Sequence, residues 1–415
     1  MARRERILVI SHGHPDFSKG GGELAAYNLF KAYQKNPGVE EAWFVARHDL
    51  GGGPSGAISM RREREYIWDQ TVADWFYMKA ANFDGVNKNF SELVKRFNPT
   101  LVHVHHYVHM GLEYLQVIKR ELPDTRIMMT IHEYIAICFN QGQMIKKGTN
   151  QLCFGESPVD CNRCFPEHSQ EDFWLRKHRY LRFFDLIEQF VAPSDFLRQR
   201  YIEWGIPSEK ITTIENGQAE SIGLSPRKLE AGETRNRFAF FGQINPFKGV
   251  DLILKALSAM TKEERRKILV EIHGSNLEGQ SLEFQKMIAE LRAPLEQEGC
   301  IQWVGPYEPF QMADRIARVD WVIVPSIWWE NSPMVIQEAF TLSRPLVVSN
   351  IGGMAEKVSH GVNGIHVPVN NTAAWSETLL KLAKMTHEWE LLRDGIVKPV
   401  EYDECAKRHL ELVLN

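Results

Sequence analysis

Six cysteines in 415 residues are too sparse for a disulfide scaffold, and their scarcity points to a reducing, cytoplasmic setting. No apolar run approaches the length needed to cross a bilayer. The apolar stretch "ILVI" behind the basic start "MARRER" lacks both the length and the cleavage site of a secretory signal, and reads as a first buried strand. A basic excess is also missing. With 49 Lys and Arg against 53 Asp and Glu, the net charge of −4 provides no global field for nucleic acid. Low-complexity segments and short-period repeats are absent, which excludes a solenoid. The length that remains suffices for two domains, each burying its own core.

Short β-rich runs alternate with helical patterns along the whole chain. In the first half these are "RILVIS" (6–11), "EAWFVA" (41–46), "LVHVHH" (101–106), "RIMMTIH" (126–132) and "QFVAPS" (189–194). In the second they are "RFAFFG" (237–242), "ILVEIHG" (268–274), "IQWVG" (301–305), "DWVIVPS" (320–326), "PLVVSN" (345–350) and "GIHVP" (364–368). Near-continuous apolar strands separated by helices predict parallel sheets covered on both faces. The expectation is an α/β chain of two Rossmann-like, doubly wound domains facing across a cleft. The first spans 1–216, with a Cys-rich insertion at about 138–168; a linker follows at 217–236. The second spans 237–395, and a C-terminal helix in 396–415 packs back toward the first. Ligands of such sheets bind beyond the carboxyl ends of the strands.

The stretch "VDWVIVPSIWWENSPMVIQEAFTLSRPLVV" carries the most chemistry. A buried strand ends at Pro325-Ser326, and the following loop holds Glu330. Ser332 and Pro333 have the residue types of an N-cap and a first helical position, which predicts a helix through Ser343 that stops before Pro345. The amides of Met334 and Val335 then point out of a helix start, where they favour a phosphate. Glu338 lies about a turn and a half further in. A solvated loop glutamate and an ordinary helix glutamate are the alternative, but strand end, Glu, cap, Pro and second Glu seldom occur together.

This segment resembles the retaining glycosyltransferases of family 4, whose signature is two glutamates separated by seven residues, here Glu330 and Glu338. The resemblance extends to "FFGQINPFKGVDLILKAL" (240–257), "APSDFLRQRYIEWGIPSEKITTIENG" (192–217) and "NIGGMAEKVSHGVNGIHV" (350–367). It implies the two-domain GT-B fold, with a nucleotide-diphosphate sugar, UDP- or GDP-linked, as donor and a saccharide or lipid-linked acceptor. It also implies that Glu330 lies at the donor sugar and Glu338 on the ribose hydroxyls. Gly242, Asn331, Ser332, Pro333, Met334 and Val335 complete the donor-binding set. The family places an Arg and a Lys on the donor diphosphate. Lys248 matches the lysine, whereas Gln243 stands where the arginine would be and brings no charge.

In "SHGHPDFSKGGGELAAY" (11–27), Gly20-x-Gly22-x-x-Ala25 comes close to a dinucleotide-binding turn, and Asp49 could serve as the ribose acid of an NAD enzyme. Eight residues separate Ser11 from Gly20, however, and the resemblance makes this a phosphate loop of the transferase kind, with Gly21 and Gly22 allowing close approach. By the same resemblance His132 sits at the sugar in the reaction centre. The histidines of "HVHHYVHM" (103–109), with His12 and His14, are expected to shape the acceptor pocket. Retaining transfer builds negative charge on the departing phosphate. With no Asp-x-Asp triplet in the chain, Lys248 and helix starts are expected to meet that charge without a divalent ion.

Cys138, Cys153, Cys161 and Cys164 close with Cys-x-x-Cys, a spacing compatible with a structural zinc site in a loop with few apolar residues; free thiols or one disulfide are the alternatives. The aromatic and basic "FWLRKHRYLRFFDLIEQF" (173–190) reads either as a peripheral membrane contact or as a domain helix with a solvated face, and "RREREYIW" (61–68) poses the same choice. Other functions on this architecture are a nucleotide-sugar epimerase, or a non-catalytic nucleotide- or carbohydrate-binding protein, the latter suggested by Gln243.

Overall fold

The computed structural model describes residues 4–18, 20–49, 51, 55–220 and 223–414. The first three residues of the basic start, Lys19 of the glycine loop and residues 221–222 of the expected linker lie outside the described residues. The chain divides into two compact units, Met1–Gly217 with Val400–Asn415, and Gln218–Pro399.

The first unit is built on strands β1 (Glu5–Ser11), β2 (Val39–His48), β3 (Ile58–Arg62), β4 (Glu65–Asp69), β5 (Leu101–Val104), β6 (Arg126–Thr130), β7 (Gln189–Ala192) and β8 (Ile211–Thr213). They form one sheet in the order β8-β7-β6-β5-β1-β2-β4-β3, parallel except for the β3–β4 pair. Ile7 to Ile10 are fully buried, as a strand covered on both faces requires. The sheet order reverses between β1 and β5, so the loops after Ser11 and Val104 open side by side.

The charged run at 61–68 is a strand hairpin and not a surface helix. Glu65 is buried there, bound by Lys31 at 2.6 Å, Tyr27 at 3.0 Å and Arg62 at 3.1 Å. Helix α1 (Gly21–Lys35) covers one face of the sheet, and helix α4 (Tyr402–Leu414), at the other end of the sequence, packs on it. Cys405, Ala406 and Leu410 of α4 share a core with Ala26, Leu29 and Phe30 of α1.

Helix α2 (Gln170–Phe184) begins in a capping box between Ser169 and Asp172. It is a domain helix that turns Arg176 inward, where the guanidinium donates to the carbonyls of Phe76 (3.0 Å), Ala136 (2.6 Å) and Ile135. Arg179 likewise turns to Glu113, at 2.5 Å. Beneath it, Phe76, Phe165 and Phe173 form a small aromatic core, with Phe139, Cys161 and Cys164 against it. The four cysteines of the expected zinc site lie beside this core. Cys138, Cys153, Cys161 and Cys164 line one small cavity, and no disulfide joins them. Burial pushes the Cys138 thiol up to about 11 and Cys161 up to about 12. Among the described residues no group of three or more His, Cys, Asp or Glu is placed to hold a metal ion. Aromatic rings hold the insertion, and the sequence reading gave them too little weight.

The second unit has six parallel strands, β9 (Arg237–Gln243), β10 (Leu269–Ser275), β11 (Ile301–Trp303), β12 (Trp321–Val324), β13 (Leu346–Ser349) and β14 (Gly364–Val367). Their order, β11-β10-β9-β12-β13-β14, reverses between β9 and β12. Residues 223–236, expected as linker, belong to this unit because Asp320 holds them. Fully buried before β12, Asp320 accepts from Arg227 at 3.1 Å, Arg235 at 3.2 Å and the Arg237 amide at 3.1 Å. Its carbonyl accepts from the Trp389 indole at 2.8 Å, and Arg235 lies over the Trp389 ring at 4.4 Å. Removing one partner of a buried pair leaves the others charged and desolvated. Asp320→Ala is expected to cost about 3–5 kcal/mol, read as a lower urea midpoint of the wild-type-like transition; an unchanged midpoint would show that the clamp is incidental.

Candidate functional site

In the second unit the strand reversal brings the loop after β9 beside the loop after β12. There the Lys248 ammonium lies 2.6 Å from Glu330 Oε1. The same oxygen accepts from the Ser326 hydroxyl at 2.7 Å and the Trp328 indole at 2.9 Å. Three donors on one oxygen hold a buried carboxylate ionised: burial pushes its pKa up, Lys248 and the two hydrogen bonds pull it further down, and the net shift is downward. Glycines allow these loops to approach so closely. Gly249 has φ of 74°, and a Cβ there would sit 2.1 Å from the Pro325 carbonyl oxygen. A Cβ on Gly353 would meet the Asn331 carbonyl oxygen at 1.6 Å, while the Gly353 amide donates to the Glu330 carbonyl at 2.9 Å. Both glycines lie in stretches read from the sequence, although their role as a bed for the Glu330 loop was not.

Helix α3 (Met334–Thr341) begins one residue later than expected, with Pro333 as its N-cap and no side-chain cap bond. Pro333 is extended at ψ 119°, so Ser332 lies outside the helix. The helix also ends at Thr341, short of Ser343. Ser343 turns left-handed at φ 57°, and the buried Arg344 guanidinium draws in the carbonyls of Val319, Leu342 and Ser343 at 3.0–3.3 Å. The first-turn residues Met334 and Val335 remain at the helix start.

Glu338, on the second turn, differs from Glu330. It is partly accessible yet closely walled, and desolvation alone raises its pKa to about 7. Tyr307 stands within electrostatic reach of it and packs edge-on to Phe241 at 5.6 Å. Phe241 stacks on His273 at 4.4 Å; His273 pairs with Glu271 at 2.9 Å and meets Arg315 at 3.0 Å. The sequence reading missed this wall, although Glu271 and His273, two apart on a strand, share a face. Gln243 ends β9 exposed beside Ser275, and Gly242 pairs with Gly274.

In the first unit α1 starts at Gly21, with Gly20 as its extended N-cap, so Gly21 and Gly22 present first-turn amides. A Cβ on Gly22 would lie 3.6 Å from the His132 ring, which brings the glycine loop and the strand-end histidine together. Glu23, buried behind them, accepts from Ser18 and lies 3.3 Å from His12. Burial opposes its ionisation, but His12 and Ser18 outweigh it and hold the carboxyl at about 2. The His12 ring lies tilted against His106 at 3.9 Å across the strand reversal. His132 is pulled down to about 4, chiefly by burial, so it is neutral at pH 7.

Three of the expected pocket histidines, His14, His103 and His105, are buried instead. His14 is buried against Glu65 at 3.3 Å, and His103 is fully buried between Tyr33 (3.0 Å) and Thr130 (2.8 Å). Asp49 is exposed and accepts from the Gly51 amide at 3.1 Å.

Comparison with known proteins agrees with this geometry. The model of the Glycosyltransferase Family 4 domain matches residues 19–218, and that of Glycosyl transferases group 1 matches 222–394. The D-inositol 3-phosphate glycosyltransferase of Salinispora arenicola is 26% identical over 48% of this chain and 44% of its own. The lipopolysaccharide 1,2-N-acetylglucosaminetransferase of Salmonella typhimurium is 29% identical over 55% and 62%. The chain spans about half the length of the curated relatives it matches. Among solved structures, Anabaena HepE in complex with UDP and glucose has a TM-score of 0.63 at 16% identity, covering 99% of this chain and 100% of its own. A Rickettsia africae glycosyltransferase has 0.68 at 16% identity, covering 99% and 98%. With two Rossmann-like units, a paired Lys248 and Glu330 where the second sheet reverses, and family models matched over both units, this chain belongs to glycosyltransferase family 4 and has the GT-B fold.

Proposed function

We propose that the chain is a retaining glycosyltransferase that moves a sugar from a nucleotide-diphosphate donor to a saccharide or lipid-linked acceptor. The observation that carries this reading is the Lys248–Glu330 pair, 2.6 Å apart beside the start of α3, with Glu338 on the same helix. An ammonium fixed by a carboxylate and a helix start with free donor capacity are what a departing diphosphate needs. In this reading Lys248 and the first-turn amides of Met334 and Val335 take the phosphates, and no divalent ion has a role. Glu330, with Asn331, Ser332 and Pro333 around it, meets the donor sugar. Glu338 accepts from the ribose hydroxyls, and Gly242 and Gln243 line the donor. In the first unit, Gly21 and Gly22 offer amides to phosphate, and His132 serves the reacting sugar. The acceptor hydroxyl attacks from the face the leaving group departs, and the leaving phosphate takes its proton. The reading also places the protein in the cytoplasm, where exposed Trp174 and Leu175 of α2 would meet a membrane surface that carries a lipid-linked acceptor.

Acceptor-dependent release of nucleoside diphosphate is the deciding assay. An epimerase would convert the donor without acceptor, and a binding protein would release nothing. A thermal-shift screen of UDP- and GDP-sugars identifies the base, since a bound donor raises the melting temperature by mass action. Lys248→Ala and Glu338→Ala are each expected to lower donor kcat/KM by more than about tenfold; unchanged kinetics in both variants would remove the assignment.

Glu338 also sets a pH dependence. With its pKa raised to about 7, Glu338 is a protonated acid at about pH 6 and a carboxylate acceptor at about pH 8. Donor KM should fall across that interval, and Glu338→Gln should flatten the profile. Stability of the free protein runs the other way. The folded state holds the Glu338 proton more tightly than the unfolded chain, so this contribution is complete below the usual carboxylate range and is lost as pH rises through about 7.

A further inference from the structure

The first unit contains a buried histidine row that the proposed transfer does not explain. His105 Nδ1 lies 3.0 Å from His132 Nε2, with the two rings near-parallel at 5.3 Å. Beyond His105, on α4, is His409, whose Nδ1 is 2.8 Å from the Cys405 carbonyl. The remaining ring nitrogens, His105 Nε2 and His409 Nε2, are both buried and have no hydrogen-bond partner. Both residues line one small cavity, with Thr130, Asn216, Gly217 and Tyr402, and it has room for no more than one water molecule. Two orphaned nitrogens around a water-sized polar space are a reason for a water to be held there.

The far end of this row fixes the tautomer of His409. A carbonyl only accepts, so His409 Nδ1 carries a hydrogen; the Cys405 thiol does not supply one, since it donates to the Glu215 carbonyl at 3.3 Å. Burial lowers His409 to about 4 and His105 well below its ordinary value, so both rings are neutral at pH 7. His409 Nε2 is thus a bare acceptor. A water that donates to it has a lone pair for His105 Nε2–H. His105 Nδ1 is then bare and accepts from His132 Nε2–H. A head-to-tail row of this kind is cooperative, each bond polarising the next.

We propose that His105 is a positioning residue for His132, and that His409, through one water in the cavity, sets the tautomer of His132 so that its Nδ1 is a hydrogen-bond acceptor. This deepens the proposed role of His132 at the sugar and rests on that reading. In it, a lone pair and not an N–H faces a substrate hydroxyl.

Long-range 1H–15N correlation spectra of the histidine-labelled full-length chain test the tautomer without substrate. His132 is expected as the Nε2–H form, and in His409→Phe as a mixture of both forms. An Nδ1–H form in the unaltered protein, or a His132 signal that His409→Phe leaves unmoved, overturns the proposal. In turnover, His105→Phe should lower kcat at least about tenfold with donor KM unchanged, and His105→Asn, whose amide oxygen can accept from His132, should recover part of it. A loss confined to KM, or no recovery by asparagine, overturns it as well. An inactive protein with the expected spectrum refutes glycosyl transfer and leaves the tautomer assignment; an active protein with the opposite tautomer does the reverse.

Discussion

An ammonium and a carboxylate held 2.6 Å apart at the carboxyl edge of a parallel sheet are the contact around which the second unit is arranged. Burying such a pair is costly unless every remaining lone pair finds a donor. Ser326 and Trp328 add two donors to the oxygen that Lys248 holds, and they come from the same loop as Glu330. The loop can close on itself only because Gly249 and Gly353 remove side chains where backbone meets backbone. Asp320 secures the strand that leads into it, with two arginines and a tryptophan held from outside the sheet. Charge placement, loop closure and strand anchoring therefore act as one device.

The first unit meets the corresponding edge of its sheet with different chemistry. Its strand reversal is lined by His106 and His132, kept neutral by burial, and by Glu23, held ionised by His12 and Ser18. Neutral rings offer hydrogen bonds without attracting anions.

Much of this was legible from residues alone. The strands "RILVIS" and "DWVIVPS" were readable because strands buried on both faces are apolar at every position. Glu330, Glu338 and Lys248 were readable through a motif. That Lys248 and Glu330 touch was not, since 82 residues separate them and only the sheet order joins them. The hairpin at 58–69 was hidden by its charges: Glu65 is buried, but its partner Lys31 lies on a helix far back in the chain. In the cysteine insertion, thiol spacing drew more attention than Phe139 and Phe165, which pack there. The shortened end of α3 depends on Arg344, whose inward guanidinium no local pattern announces.

Helix α4 returns to the first unit after the whole second unit has been traversed, and there its Cys405, Ala406 and Leu410 fill space against α1. The interior of the first unit is consequently unfinished until residues 402–414 have left the ribosome. During synthesis the early two hundred or so residues must wait with an oily seam uncovered, and a nascent chain in that condition is one that chaperones would be expected to attend.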